Sequence, residues 1–162
     1  MIIPNFRIGH GYDIHSIGIN RTLILGGVKI KNSHGLIGHS DGDCLSHAIA
    51  DSLLGAAGLV DIGNIFPNSN PNIKNINSQK ILKYIYKKLL KLNYKIHNID
   101  ATIIIEYPII QSFILKIKQT LSNSLTINID KIGIKATTNE GNDSIGQKKA
   151  IAANAVSLIY KI

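Results

Sequence analysis

Segments with helical spacing and segments with strand patterns follow one another irregularly in this chain, and this mixture limits the fold more than any other feature. Apolar residues recur at helical spacing over residues 43–57 and 78–92, the second with a lysine face. Strand patterns cover residues 7–15, 23–31 and 94–106. Because the order is not a strict strand–helix–strand repeat, we predict an α+β (mixed α/β) fold, with a mixed sheet covered by helices on one face.

The last third of the chain continues the mixture. Isoleucines alternate with polar residues over residues 126–137, which predicts a half-buried strand. We expect a helix over residues 109–121, with Pro108 at its start, and a final helix over residues 146–159. The chain has 162 residues without an internal repeat or linker, so we expect a single domain over residues 1–162.

Composition excludes several classes of protein. A chain that is 44% hydrophobic and 17% charged can bury a core and does not have the composition of a disordered protein. A single cysteine excludes a disulfide framework and fits a reducing compartment. No apolar run is long enough for a membrane span, and the first residues lack the pattern of a secretory signal. We therefore expect a cytoplasmic protein with no membrane partner.

The formal net charge of +8 indicates an anionic partner without identifying it. Much of the excess lies on the lysine face of the segment 78–92. Such a face is usually only solvated, and few aromatic residues accompany it for stacking on bases. A basic nucleic-acid-binding domain is therefore an alternative, but we expect no nucleic-acid partner.

Histidines and carboxylates concentrate between residues 13 and 61. Asp13 and His15 lie two residues apart on a predicted strand, so both side chains leave the same face. His47 lies on the predicted helix that follows, four residues after Asp43. Asp13, His15 and His47 can therefore converge on one point, and two imidazoles with one carboxylate form the ligand set of a catalytic zinc. Asp43 itself is also well explained as a helix N-cap.

A second polar stretch covers residues 135–143, where a strand pattern ends in two hydroxyls and a carboxylate. Thr137 and Thr138, with backbone amides at the start of the helix expected next, can hold phosphate oxygens. Glu140 can hold a hard cation. Lys148 and Lys149 fall in the first turn of the expected final helix, where solvated lysines are the simpler explanation and a bound anion the other.

Together these motifs resemble one known family. They are RIGHGYDIH at residues 7–15, HSDGD at 39–43 with His47, the run at 51–66, and KATT at 135–138 with Glu140. The sequence resembles the 2-C-methyl-D-erythritol 2,4-cyclodiphosphate synthase family over essentially the whole chain. The resemblance implies a small α/β domain that forms a homotrimer, with the sheets around the threefold axis and the active sites at subunit interfaces.

The activity that the resemblance implies is a metal-assisted intramolecular phosphoryl transfer in non-mevalonate isoprenoid biosynthesis. It converts 4-CDP-2-C-methyl-D-erythritol 2-phosphate to the 2,4-cyclodiphosphate, releases CMP and needs no protein nucleophile. From the residues alone, a generic zinc-dependent phosphohydrolase is the alternative enzyme. The implied zinc ligands are Asp13, His15 and His47. Glu140 is the implied ligand of a second divalent cation, Mg²⁺ or Mn²⁺.

The remaining site residues are also implied by the resemblance. His39 and Thr138 would stabilise the transition state. The residues expected to bind substrate are Ser40, Asp61, Ile62, Gly63, Phe66, Pro67, Asn68, Ser69, Asn70, Ile105, Glu106, Tyr107, Pro108, Ile109, Ile110, Gln111, Thr137, Asn139, Ser144 and Gln147. Among them, residues 105–111 would form a cytosine pocket contributed by a neighbouring subunit. The chain departs from the common family pattern at Asn68, at residues 109–111, at residues 142–144, at Gln147 and at Asn154.

Overall fold

The computed structural model describes residues 5–31, 34–67, 69–71 and 75–162. The strands are β1 (Phe6–Ile19), β2 (Leu23–Leu25), β3 (Val28–Ile30), β4 (His34–Leu36), β5 (Tyr94–Ile104), β6 (Ile132–Thr137) and β7 (Ala150–Lys161). The α-helices are α1 (Cys44–Ala56), α2 (Ile62–Ile65), α3 (Ser78–Lys91), α4 (Ile114–Leu125) and α5 (Asp143–Gly146). Within these ranges, no helix has the length and apolar character needed to cross a membrane.

Five strands form one mixed sheet in the order β4-β1-β7-β5-β6. Strands β5 and β6 are parallel, and the other neighbouring strands are antiparallel. Strand β7 lies at the centre, where it pairs with β1 from Phe6↔Tyr160 to Ser16↔Ala150 and with β5 on its other side. The predicted α+β class and the mixed sheet are therefore confirmed.

Helices cover one face of this sheet, as predicted. Helix α1 lies directly on β1, because glycines remove the side chains between them. A Cβ built at Gly11 would lie 2.0 Å from the carbonyl oxygen of Ala48, and one at Gly9 would lie 2.0 Å from that of Ser52. The main hydrophobic core joins the inner sheet face to α1, α3 and α4 and includes fully buried Leu53.

Most of the opposite face of the sheet is uncovered, apart from a small apolar cluster that Ile145 of α5 forms with Ile104, Ala150 and Ala152. It carries apolar side chains with large exposed fractions, 71% for Ile8, 49% for Tyr12, 41% for Ile14 and 38% for Val156. These residues alternate along β1 and β7 with the buried inward-facing ones. An apolar sheet face of this kind is a typical site of association with another surface.

Several boundaries differ from the sequence predictions, and strand β1 continues to Ile19 instead of ending at residue 15. The segment 23–31 is not one strand but a hairpin, in which Gly26 and Gly27 form the turn with φ values of 57° and 77°. The helix expected over residues 109–121 begins later, at Ile114, after a 3₁₀ turn at Gln111–Phe113. The strand expected from residue 126 begins at Ile132, because a 3₁₀ turn precedes it at Ile129–Lys131.

The final helix expected over residues 146–159 is wrong. Residues 150–161 form the central strand β7, and Lys148 and Lys149 precede it instead of lying in a helical turn. The alanine-rich segment Ala152–Ala155 favours a helix by local propensity. Small side chains are needed there because α1 packs closely on this part of the sheet, and pairing with both neighbours outweighs the propensity.

Candidate active site

Strand β1 and helix α1 bring Asp13, His15 and His47 together. Asp13 and His15 alternate with exposed residues on β1, so they point towards α1 like Gly9 and Gly11. His47 lies in the first turn of α1, which begins after its N-cap, Asp43. The close contact between Gly11 and the α1 backbone sets how far His47 stands from the strand.

One atom from each of these three side chains faces a common point. The distance from Asp13 Oδ2 is 2.8 Å to His15 Nε2 and 2.9 Å to His47 Nδ1, and the two nitrogens lie 3.3 Å apart. All three atoms lie within 4.8 Å of one another, as the ligands of one ion do. A carboxylate oxygen and two imidazole nitrogens are a donor set that divalent transition metals prefer. The sequence prediction that these residues converge is confirmed.

The electrostatics of the cluster favour a negative Asp13. Burial raises the pKa of its carboxyl group, but hydrogen bonds with His15 and His47 and the charges of both rings outweigh burial and lower the pKa to about 2. The hydrogen bond with Asp13 raises the pKa of His15 above its ordinary value, despite the opposing effect of burial. The cluster thus has an ionised carboxylate that attracts a cation, and a proton on His15 competes with a metal for the same position.

The nitrogens that point away from the common point have partners of their own. His15 Nδ1 lies 2.8 Å from the carbonyl oxygen of Ile37 and donates to it. His47 Nε2 lies 2.9 Å from Ser40 Oγ and 3.2 Å from Ser78 Oγ. Such outer hydrogen bonds fix which ring nitrogen is left for a metal.

A cavity of about 220 Å³ opens beside the cluster. Its lining is Asp13, His15, His39, Ser40, His47, Ile62, Gly63, Phe66, Ile76 and Ile81. The first eight of these residues are among the predicted site residues. Ile76 and Ile81 were not predicted, because isoleucines carry no chemical signal in an isoleucine-rich sequence.

Asp61 and its neighbours lie around the short helix α2. Asp61 caps that helix by accepting a hydrogen bond from the N–H of Asn64 at 3.0 Å, which lowers the pKa of the exposed carboxyl group. Its side chain lines a different cavity with His10 and Asp51. Of the other residues predicted here, Pro67 and Ser69 are exposed, Asn70 is half-buried, and Asn68 lies outside the described residues.

A second cavity, of about 270 Å³, lies at the ends of β5 and β6. Its lining is Ile105, Glu106, Pro108, Ile109, Ile110, Gln111, Ala136, Thr137 and Thr138. All of these except Ala136 were predicted to bind substrate or act in catalysis. Tyr107, also predicted, lies between them in the sequence with an exposed side chain.

The loop after β6 has an internal hydrogen-bond network. Thr138 Oγ1 donates to Glu140 Oε1 at 2.8 Å, and the N–H of Asn139 donates to Glu106 Oε1 at 2.6 Å. Ser144 and Gln147 are exposed beyond this loop. The hydrogen bond between them places Thr138 and Glu140 side by side.

Two polar residues near His47, Asp41 and Ser78, were not predicted as site residues. Asp41 accepts hydrogen bonds from the backbone N–H and the hydroxyl of Ser78, and Ser78 in turn contacts His47. Ser78 lies 31 residues from His47 at the start of a helix, where serine is common for local reasons. Only the fold reveals the contact.

The sequence as a whole can be placed among known proteins. A family model described as the YgbB family matches residues 6–160. This chain belongs to the YgbB family. A relative from Clostridium perfringens, named 2-C-methyl-D-erythritol 2,4-cyclodiphosphate synthase, is 48% identical over 155 residues, which are 96% of this chain and 99% of that protein.

Solved structures place the fold in the same group. The structure of IspF from Plasmodium falciparum, a CDP complex, matches with a TM-score of 0.86 and 40% identity, covering 99% of each chain. The bifunctional IspDF from Campylobacter jejuni matches with a TM-score of 0.95 and 35% identity over 99% of this chain. The match covers 43% of that longer protein. The family resemblance inferred from the sequence motifs is therefore confirmed.

Proposed function

We propose that this chain is a 2-C-methyl-D-erythritol 2,4-cyclodiphosphate synthase, a phosphorus–oxygen lyase of non-mevalonate isoprenoid biosynthesis. It converts 4-CDP-2-C-methyl-D-erythritol 2-phosphate to 2-C-methyl-D-erythritol 2,4-cyclodiphosphate and releases CMP. The observation that carries the proposal is the convergence of Asp13, His15 and His47 beside a cavity. The family and the name of the C. perfringens relative support the identity of the substrate.

Zinc is the metal that we propose for the cluster. Asp13, His15 and His47 supply one oxygen and two nitrogens, which are the usual donors of a catalytic zinc with three protein ligands. When bound, the ion would act as a Lewis acid and polarise a phosphate oxygen. The low pKa of Asp13 supports this assignment, because the carboxylate stays ionised at all physiological pH values.

The protein's own groups position the substrate instead of attacking it. An oxygen of the 2-phosphate forms a bond to the β-phosphorus, the bond from that phosphorus to the oxygen of the α-phosphate breaks, and CMP leaves with the electron pair. Holding both phosphates in line lowers the barrier without a protein nucleophile. In this proposal His39 and Thr138 stabilise the transition-state charge and Ser40 contacts the substrate, supported for His39 and Ser40 by their place in the cavity wall.

Glu140 would hold a second divalent cation, Mg²⁺ or Mn²⁺, which would offset the negative charge of the substrate's phosphates. Carboxylate oxygens are the donors that these hard cations prefer. The hydrogen bond from Thr138 holds one oxygen of Glu140 and leaves the other for a cation. The net charge of +8 also suits a substrate with several negative charges.

The two cavities have different proposed contents. The methylerythritol part lies near Asp61, Ile62, Gly63 and residues 66–70, whereas residues 105–111 hold the cytosine. Thr137, Asn139, Ser144 and Gln147 lie by the nucleotide phosphates. Ile62, Gly63 and Phe66 in the first lining, and residues of the segment 105–111 with Thr137 in the second, support this division, whereas Asp61 lines a separate cavity. The P. falciparum IspF structure, being a CDP complex, supports a CDP moiety as a ligand of such proteins.

We propose that the chain acts as a homotrimer, with the uncovered sheet face at its centre and active sites between subunits. The exposed Ile8, Tyr12, Ile14 and Val156 support this proposal, because burying such a face removes apolar area from water. Light scattering should then give three times the chain mass of 17.7 kDa. A monomer at micromolar concentration would contradict the proposed assembly.

We also propose that residues 1–162 act as a single domain in the cytoplasm. One main core that joins both halves of the chain supports the single domain. The only cysteine of the sequence, Cys44, is buried as a free thiol, which suits a reducing compartment.

The decisive experiment is to incubate the protein with the CDP-linked substrate, Zn²⁺ and Mg²⁺, and to identify the phosphorus-containing products by ³¹P NMR. We expect a cyclic diphosphate and CMP in equal amounts. Asp13→Ala and His47→Ala should lose both bound zinc and CMP release, whereas His97→Ala, outside both cavities, should keep both. An acyclic product carrying oxygen from labelled water would instead support a phosphohydrolase.

A further inference from the structure

The two ring nitrogens of His47 face different surroundings. Nδ1 faces Asp13 Oδ2 at 2.9 Å and His15 Nε2 at 3.3 Å, inside the candidate metal cluster. Nε2 faces the hydroxyls of Ser40 and Ser78 outside it. A neutral imidazole binds a metal through the nitrogen without a proton, so metal binding requires the tautomer with the proton on Nε2.

The hydroxyl group of Ser78 is oriented by a carboxylate. Asp41 Oδ1 accepts the hydrogen bond from this hydroxyl, and Asp41 Oδ2 accepts one from the Ser78 N–H at 2.9 Å. A serine hydroxyl has only one hydrogen. Because that hydrogen points to Asp41, the oxygen of Ser78 can only accept from His47 Nε2.

Ser40 does not impose the same direction. Its hydroxyl oxygen lies 2.9 Å from His47 Nε2 and accepts a hydrogen bond from the N–H of Gly42 at 3.3 Å. Within the described part of the chain, no carboxylate orients the hydrogen of Ser40. Ser78 is also completely buried, whereas Ser40 lines the cavity, so the bond from Ser78 is shielded from water.

We propose that Asp41 and Ser78 are positioning residues, which hold His47 in the Nε2–H tautomer and so present Nδ1 to a divalent metal. The inference rests on the metal site of the proposed function and adds two residues that do not touch the metal. It also gives the start of α3 a role at the site. That start is tied to the loop before α1 by hydrogen bonds from the Asp41 N–H to the Ile76 carbonyl at 3.2 Å and from the Asn75 N–H to the His39 carbonyl at 2.9 Å.

The first test is the affinity for Zn²⁺ alone, measured by titration against a competing chelator. Removing such an outer partner of a metal ligand typically weakens metal binding by about 10- to 100-fold. We expect that loss in Ser78→Ala and in Asp41→Asn. The matched control is Asn77→Ala, which removes the cap of the same helix without changing a contact of His47. The cap is the Asn77 side-chain oxygen, which accepts a hydrogen bond from the Gln79 N–H at 2.8 Å.

The second test reads the tautomer directly, by ¹⁵N NMR of histidine-labelled, metal-free protein at pH ~9, well above the ordinary histidine pKa. Ionised Asp13 and His15 Nε2 both face Nδ1 and would draw the proton there in metal-free protein, so the spectra are compared in an Asp13→Ala/His15→Ala background, where His47 should carry its proton on Nε2. Asp41→Asn should favour the opposite tautomer. Its amide oxygen would stay with the Ser78 N–H, and its NH₂ group would face the Ser78 hydroxyl, whose hydrogen would then point to His47.

The outcomes separate this inference from the proposed function. An unsubstituted protein that binds no Zn²⁺ would refute the metal site, while the tautomer in metal-free protein would still test the role of Asp41 and Ser78. Unchanged affinity and an unchanged tautomer in both variants would overturn the inference. An equal loss of affinity in Asn77→Ala would overturn it too, because the effect would then come from the helix start and not from the contact with His47.

Discussion

Replacing Asp43 by alanine tests how the structure holds helix α1 in place. Asp43 is fully buried at the N-terminus of that helix. Its carboxylate accepts hydrogen bonds from the N–H groups of Gly26 at 2.9 Å, Gly27 at 2.7 Å and Ser46 at 3.0 Å. The Ser46 hydroxyl donates a fourth bond, at 2.7 Å. One side chain thus joins the β2–β3 turn to the helix that carries His47.

The expected cost follows from these four donors. An orphaned buried donor costs about 1–3 kcal/mol, and loss of an N-cap costs about 0.5–2 kcal/mol. The N–H groups of Gly26 and Ser46 are buried, and the cap is one of the same bonds, so the two contributions overlap. Burial raises the pKa of Asp43 and offsets part of the gain from its ionised form. We expect Asp43→Ala to lower the free energy of unfolding by about 3–5 kcal/mol.

The assay is urea unfolding of metal-free protein, followed by circular dichroism at one protein concentration, because association would add to stability. The matched control is Asp61→Ala. Asp61 caps α2 in the same way but is exposed, so its loss should lower the free energy of unfolding much less than the loss of Asp43. A difference between the two variants of less than about 1 kcal/mol would refute the argument from burial.

Two further predictions concern the sheet and the cluster. Gly11→Ala should prevent stable folding, since its Cβ would lie 2.0 Å from the Ala48 carbonyl oxygen. Gly55→Ala should be neutral or stabilising, because the nearest neighbour of its Cβ lies at 3.8 Å. Thermal unfolding compares the two variants, and equal melting temperatures would contradict the packing argument. In metal-free protein, the stability contributed by Asp13 should be complete above pH 3.8 and disappear as pH falls towards 2, because its folded pKa is lowered. The contribution of His15, whose folded pKa is raised from 6.5, should be complete below that value and disappear as pH rises through the folded pKa. In Asp13→Asn, the urea midpoint should lose the pH dependence due to Asp13 and the pH dependence due to His15. A midpoint that varies with pH as in the unsubstituted protein would show that the pairing of Asp13 with the histidines does not stabilise the fold.

Local patterns were sufficient for the elements that position the cluster. The alternation of Asp13 and His15 on a strand, and the helical spacing after Asp43, predicted that His47 would meet them. The alternation along β1 arises because its inner face is buried and its outer face is exposed, whereas α1 is buried on almost every side and was indicated by its helical spacing and its Asp43 cap. The convergence of these three side chains could therefore be predicted from the sequence.

Contacts between segments that are distant in the sequence could not be predicted. Strand β7 is apolar on both faces, with Ile151 and Ala153 inward and Ala152 and Val156 outward, so it lacks the alternation that indicates a strand. Ser78 reads as an ordinary residue at a helix start until the fold places it beside His47. In both cases the structure depends on contact with a segment that is distant in the sequence. Local periodicity contains no information about such a contact.

The glycines of β1 leave main chain against main chain at the point where α1 crosses the sheet. A separation set by two backbones does not change with rotamers, as a separation set by large side chains does. The relative positions of Asp13, His15 and His47 should thus change little when more distant core residues are substituted, such as the isoleucines and leucines of α3 and α4. Sequences that differ at those core positions should still keep the same distances between the facing atoms of Asp13, His15 and His47.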